Sequence, residues 1–124
     1  MNDYLSYRFK DNPEVVKTYD ELTIWSASFG LLLLKHLELK PDLTILDIGS
    51  GTGFPLLELA SRLGNSCALY GIDIWENGNS RTREKIKNYN LKNVKVLDCS
   101  AEKIPFKDNS VDLIVSNLGI NNFE

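Results

Sequence analysis

Two carboxylates and a cluster of glycines are the residues of this 124-residue chain best suited to chemistry. Asp47-Ile48-Gly49-Ser50-Gly51-Thr52-Gly53 leaves an apolar run and opens a segment of helical periodicity. Glycines at such a turn permit positive φ and let the backbone approach a ligand with no Cβ in the way. Their spacing is GxGxG. A dinucleotide fingerprint would need glycine at 49, 51 and 54, but position 54 is Phe, and the Lys-Ser/Thr pair of a P-loop does not follow. An acid at 47, just before the loop, would repel a pyrophosphate docked on the helix N-terminus. It would suit a ligand carrying an ammonium or sulfonium group. Past Gly53, at the end of a second apolar run, comes Tyr70-Gly71-Ile72-Asp73-Ile74. An acid there can accept two hydrogen bonds from a ribose diol. An adenosine bearing positive charge satisfies both acids.

The elements that must position these groups read as an alternation. Asn12 precedes Pro13 and Glu14, an N-cap, a first-turn proline and a first-turn acid, so a short helix starts there. Leu22, Trp25, Phe29, Leu32 and Leu33 recur near helical spacing and end on Lys35 and His36, which predicts a longer helix over 20–37. Leu43 to Ile48 is a buried strand, followed by a helix on Leu56, Leu59, Ala60 and Leu63 with Pro55 ahead and Gly64-Asn65 behind. Cys67–Ile74 is a second strand, and 79–90 a more exposed helix with Ile86 and Tyr89 facing inward. Val94–Leu97 and Val111–Val115 are the third and fourth strands, with Pro105 and Asp108-Asn109-Ser110 leaving room for little helix between them. Such alternation means βαβ units: an α/β, Rossmann-like parallel sheet with flanking helices and a ligand site at the carboxyl ends of the strands.

Three ordered motifs then carry a resemblance. Ile45 to Gly53, Gly71-Ile72-Asp73-Ile74, and Ser100-Ala101-Glu102-Lys103-Ile104-Pro105-Phe106 followed by Asp108 to Val115 resemble the motifs of class I S-adenosylmethionine-dependent methyltransferases. The likeness covers about residues 43 to 117 and is strongest to the small-molecule, ubiquinone/menaquinone-biosynthesis group. It implies the first four strands of that fold in residues 43–124, preceded by a helical segment over 1–42. It also implies S-adenosyl-L-methionine as cofactor and methyl transfer to a small-molecule acceptor by in-line displacement at the sulfonium methyl.

By the same resemblance Gly49 and Gly51 lie against the methionine part of the cofactor with Asp47 near its amino group, Ser50 and Gly53 belong to the cofactor-binding set, and Asp73 binds the ribose hydroxyls. Ile74 or Trp75 packs on adenine, the Ala101 N–H meets an adenine ring nitrogen, and Asn117 belongs to the cofactor-binding set. The usual acceptor for the adenine amino group is replaced by Ser100, with Asp98 two residues earlier able to substitute. No catalytic side chain is assigned, because the cofactor arrives activated. Ser116-Asn117-Leu118-Gly119 differs from the Asn/Asp-Pro-Pro-aromatic motif of amino-methylating DNA enzymes. The alternatives are an S-adenosylmethionine-binding module or inactive fragment without turnover and, behind these, a NAD-binding Rossmann domain.

Bulk properties narrow the class further. Lys and Arg number 14 against 17 Asp and Glu, for a net charge of −3, so no basic footprint argues for nucleic acid. Phe29–Leu34 is too short to span a bilayer, no secretory signal is visible at the start, and the chain reads as cytoplasmic. Cys67 and Cys99 lack metal spacing and read as free buried thiols, with no metal site expected. The chain stops just past the fourth strand, so the expectation is a truncated chain or a homodimer pairing through Val111, Leu113 and Val115. His36 reads as a dipole-compensating surface residue and Arg81–Lys85 as a solvated helix face. Tyr4, Tyr7, Tyr19 and Trp25 read as packing residues, with Tyr19 and Trp25 the better candidates for a lid.

Overall fold

The computed structural model describes residues 11–21 and 24–122, the side chains of Ile24, Trp25, Asn121 and Asn122 excepted. Four parallel strands form one sheet: β1 (Thr44–Ile48), β2 (Ala68–Asp73), β3 (Val94–Asp98) and β4 (Leu113–Val115), in the order β3-β2-β1-β4. The chain steps outward from β1 to β2 to β3, then returns to the other side of β1. That reversal makes the gap between β1 and β4 the switch point at which ligands bind in open α/β sheets.

Helices α1 (Pro13–Glu21), α2 (Ile24–His36), α3 (Leu56–Leu63) and α4 (Glu76–Asn88) complete the fold. Asn12 caps α1 as its type demands: its Oδ1 accepts from the Glu14 and Val15 backbone N–H groups at 3.0 and 2.9 Å. The helix predicted over 20–37 begins later, because Asp20 and Glu21 close α1 and α2 starts at Ile24. The helix predicted from 79 starts at Glu76, and Tyr89 lies beyond its end at 72% exposure instead of facing inward; Ile86 alone packs on the core. The fourth strand is shorter than predicted. Asp112 keeps one backbone bond, its N–H to the Thr44 carbonyl at 2.9 Å, but accepts the Thr44 N–H on its own Oδ2 at 2.7 Å, so a side chain takes the place of a carbonyl there. Tyr4, Tyr7 and the Trp25 side chain lie outside the described residues.

Ile45, Leu69, Val94, Val96 and Val115 share one face of the sheet by register, and Leu56, Leu59 and Ala60 of α3 and Leu34 of α2 close over them. Burial of each large member is worth about 1.5–3 kcal/mol. On the strand connections, Phe106 meets Tyr70 edge-on with ring centroids 4.9 Å apart, which anchors the long β3–β4 connection to the sheet. Both cysteines are free; Cys67 is buried with its Sγ on the Lys40 carbonyl, and Cys99 is half-buried just after β3. His36 is exposed in the last turn of α2, as its position predicts. No described helix is long and apolar enough to cross a membrane. Beyond β4 no further strand pairs with the sheet among the described residues.

Candidate cofactor site

The glycine loop grows out of β1 and is fastened first to the neighbouring strand. Gly49 and Ser50 both donate to the Ile72 carbonyl, at 2.9 and 3.2 Å, and Gly53 donates back to Ser50 at 2.8 Å. Gly49, Gly51 and Gly53 all have positive φ, 74°, 51° and 103°, the conformation for which glycine is the default. The loop then enters α3 through Phe54-Pro55.

Asp73 is the hinge between the two motifs. Its Oδ2 accepts from the Gly51 N–H and its Oδ1 from the Trp75 N–H, both at 2.8 Å. Each oxygen retains a lone pair, so the carboxylate orients the loop and can still accept from outside it. Trp75 lies beside Gly51 and over Gly78, where a Cβ would come within 2.5 Å of the indole ring, so only glycine lets the ring settle there. Tyr19 of α1 meets Trp75 edge-on with centroids 5.3 Å apart, and the Trp75 Nε1 donates to Asp11 at 2.7 Å. Ile74 is 74% exposed at the end of β2.

Asp47 is the electrostatic oddity. It stands in one row of the sheet with Gly71, Val96 and Val115, is fully buried, and neither carboxylate oxygen completes a hydrogen bond. Burial pushes its carboxyl up to about 8, the nearby Asp73 charge adds to this, and the Leu56 N–H at the start of α3 relieves it only in part. A cation bound opposite this group would lower the cost of its charge. Asp47 and Asp73 thus place two carboxyl groups on either side of the Gly49–Gly51 turn, the buried one holding its proton up to about pH 8.

The other predicted residues divide by placement. Ser50 turns its hydroxyl into the sheet, where it fills the space above Gly71 and finds no partner, so only its backbone lies on the loop surface. Asp98 is drawn to α4: it pairs with Arg83 and accepts from the Asn79 Nδ2 at 2.8 Å, and these contacts hold its carboxyl below the usual range. The Ser100 hydroxyl caps the short 3-10 turn Ala101–Lys103 by accepting from Glu102 at 3.2 Å. Asn117 donates from Nδ2 to the Ser26 carbonyl of α2 at 3.2 Å.

The Arg81–Lys85 segment is not a solvated face. Arg81 and Lys85 converge on Asp20 of α1, whose side chain is 10% exposed, while Lys85 also donates to the Thr52 carbonyl at 2.8 Å. Fully buried Thr82 donates to the Gly51 carbonyl at 2.9 Å. Polar residues of α4 therefore hold the loop from beneath and dock α1 beside it. No local pattern signals this role, because a helix this polar has no apolar stripe to mark its inner face. Asp20→Ala should leave Lys85 without a carboxylate and Arg81 with Glu84 alone, and cost about 1–3 kcal/mol in a urea titration, with faster amide exchange across α1.

A family model described as "Methyltransferase domain" matches residues 39–124. The chain belongs to the class I S-adenosylmethionine-dependent methyltransferases. This methyltransferase chain is 28% identical over 89 residues to the demethylmenaquinone methyltransferase of Bacillus mycoides, a match covering 72% of this chain and 38% of that protein. It superposes on a SAM-dependent methyltransferase from Aquifex aeolicus with TM-score 0.71 and 36% identity, over 86% of this chain and 57% of that one. The geranyl diphosphate C-methyltransferase of Streptomyces coelicolor, at 19% identity and TM-score 0.67 over 88% of this chain and 40% of that one, shares the fold. The methyltransferase chain thus spans about two-fifths of the length of the curated relatives it matches.

Proposed function

We propose that residues 43–124 form the cofactor-binding half of a methyltransferase acting on a small-molecule acceptor, with helices α1 and α2 of the segment 1–42 flanking the site. The observation that carries this reading is the pairing of a buried carboxylate that completes no hydrogen bond, Asp47, with a second carboxylate, Asp73, across a glycine turn of positive φ. A site with two acids and no phosphate-binding cation on the loop fits a cationic nucleoside better than a dinucleotide. The residues present therefore suit S-adenosylmethionine. When bound, that cofactor supplies a methyl group already activated on a sulfonium sulfur.

The chain's own part is to bind, orient and exclude water. Asp73 offers its remaining lone pairs to a ribose diol, the Gly49–Gly53 backbone allows close approach, and exposed Ile74 offers an apolar face to a base. The Ala101 N–H and the Ser100 turn stand at the end of β3 for the base edge, with Asp98 committed to Arg83. Asp47, protonated near neutral pH, supplies negative charge beneath the loop once a bound cation draws its proton off. The demethylmenaquinone relative makes quinone-like acceptors the first to try. A second reading is cofactor binding without turnover. A second copy of the chain remains the expected partner at the outer edge of β4, checked by light scattering.

One titration separates the readings. S-adenosylhomocysteine should bind in calorimetry and NADH should fail to displace it; binding of NADH alone would point to the dinucleotide alternative. Transfer of labelled methyl from S-adenosylmethionine to a quinol acceptor then distinguishes an enzyme from a binding module.

A further inference from the structure

The chain that leaves β4 returns at once to the glycine loop. A Cβ on Gly49 would lie 2.7 Å from the Gly119 Cα, and one on Gly119 would lie 2.7 Å from the Ile48 carbonyl oxygen and 2.9 Å from the Gly49 Cα. Two backbones meet here with nothing between them. Ser116 donates its hydroxyl proton to that same Ile48 carbonyl at 2.7 Å, and Asn117 fastens the turn to α2. Between Asn117 and Gly119, Leu118 is held at φ 63°, a region that a bulky side chain avoids unless its surroundings impose it. The turn thus sits on the loop's β4 side while Thr82 and Lys85 grip the Gly51 and Thr52 carbonyls from α4.

We propose that residues 116–119 are a positioning element for the glycine loop: Gly119, by close packing, and Ser116, by its hydrogen bond, fix the path of Ile48–Gly49 and thereby set cofactor affinity. The idea rests on the cofactor reading above. It goes beyond that reading because Ser116 and Gly119 act through Gly49 and need touch no ligand. The strand reversal explains why this turn is available for the task, since β4 is the one strand whose carboxyl end lies beside that of β1 across the switch point.

The test uses Gly119→Ala and Ser116→Ala in the full chain, with three readouts: Kd for S-adenosylhomocysteine, the amide resonances of Gly49 and Gly51 without ligand, and thermal unfolding. Displacement of the loop in Gly119→Ala should raise Kd by about tenfold or more. Loss of one hydrogen bond in Ser116→Ala should raise it about three- to tenfold. Both should move the Gly49 resonance while leaving that of Gly64, at the far end of α3, in place. A purely structural role predicts a lower unfolding temperature with Kd and the Gly49 resonance unchanged, and that result overturns the proposal. Should Gly119→Ala fail to fold, Ser116→Ala decides alone. If the unaltered protein binds no S-adenosylhomocysteine, the cofactor reading fails, and the Gly49 resonance in Ser116→Ala still decides whether the turn governs the loop.

Discussion

Asp73→Ala should weaken S-adenosylhomocysteine binding by about 1–3 kcal/mol, roughly five- to 150-fold in Kd. The side chain does two things at once. It holds the Gly51 and Trp75 N–H groups and leaves an acceptor free on each oxygen, so its loss both loosens the loop and removes a partner for a diol. Asp73→Asn separates these contributions. The amide keeps one acceptor oxygen and should retain part of the loop's order, so its Kd should fall between those of wild type and Asp73→Ala. An unaltered Kd in Asp73→Ala would remove this residue from the ribose assignment.

The second large effect is a pH dependence with an unusual sign. Most folded-state carboxylates titrate low and stabilise the protein as pH rises through the acid range. Asp47 does the reverse, because its folded-state carboxyl is raised to about 8 from an ordinary 3.8. Between those values the folded state holds a proton that the unfolded state has released, so stability falls as pH rises. From pH 5 to pH 8 the loss should amount to about 2–4 kcal/mol. Asp20 and Asp98, both held low by basic partners, contribute stability that is lost only on acidification below the ordinary carboxylate range, outside this window. Asp47→Asn should therefore flatten the profile between pH 5 and 8 and be at least as stable as wild type at pH 8. Urea titrations at three pH values check this; a wild-type profile that is flat or rising would refute a protonated Asp47. A bound cation should also draw the proton off, so that near pH 7 calorimetry in buffers of different ionisation enthalpy would reveal proton release.

The parallel core and the two acids were legible because each rests on a short local signal. Ile45-Leu46 running into glycines marks a buried strand, and Asp73 closes another apolar run. The same holds for Asn12 before Pro13, whose capping bonds are present as the residue types dictate. What escaped were effects of tertiary neighbours. Nothing local to Thr82 or Lys85 reports that α4 turns a polar face inward to meet the carbonyls of Gly51 and Thr52. Asp98 looks free in sequence because Arg83 and Asn79 lie on the preceding helix, and only the βαβ crossover brings them beside it. Gly119 carries no motif at all; its meaning is a distance to Gly49. Periodicity alone turns Tyr89 inward, but the helix stops one residue short of it and leaves the ring in solvent.

The contact between Thr44 and Asp112 joins residues 68 positions apart. Contacts of such long sequence separation are slow to close, since their loop entropy must be met before they yield any return. During synthesis β1, β2 and β3 can therefore associate while the fourth strand is still unmade, leaving the flank of the central strand bare and the loop without its last support. The pocket would mature at the end of folding, and a nascent chain halted before residue 112 should be recognisable by exposed apolar surface and by an inability to retain nucleoside.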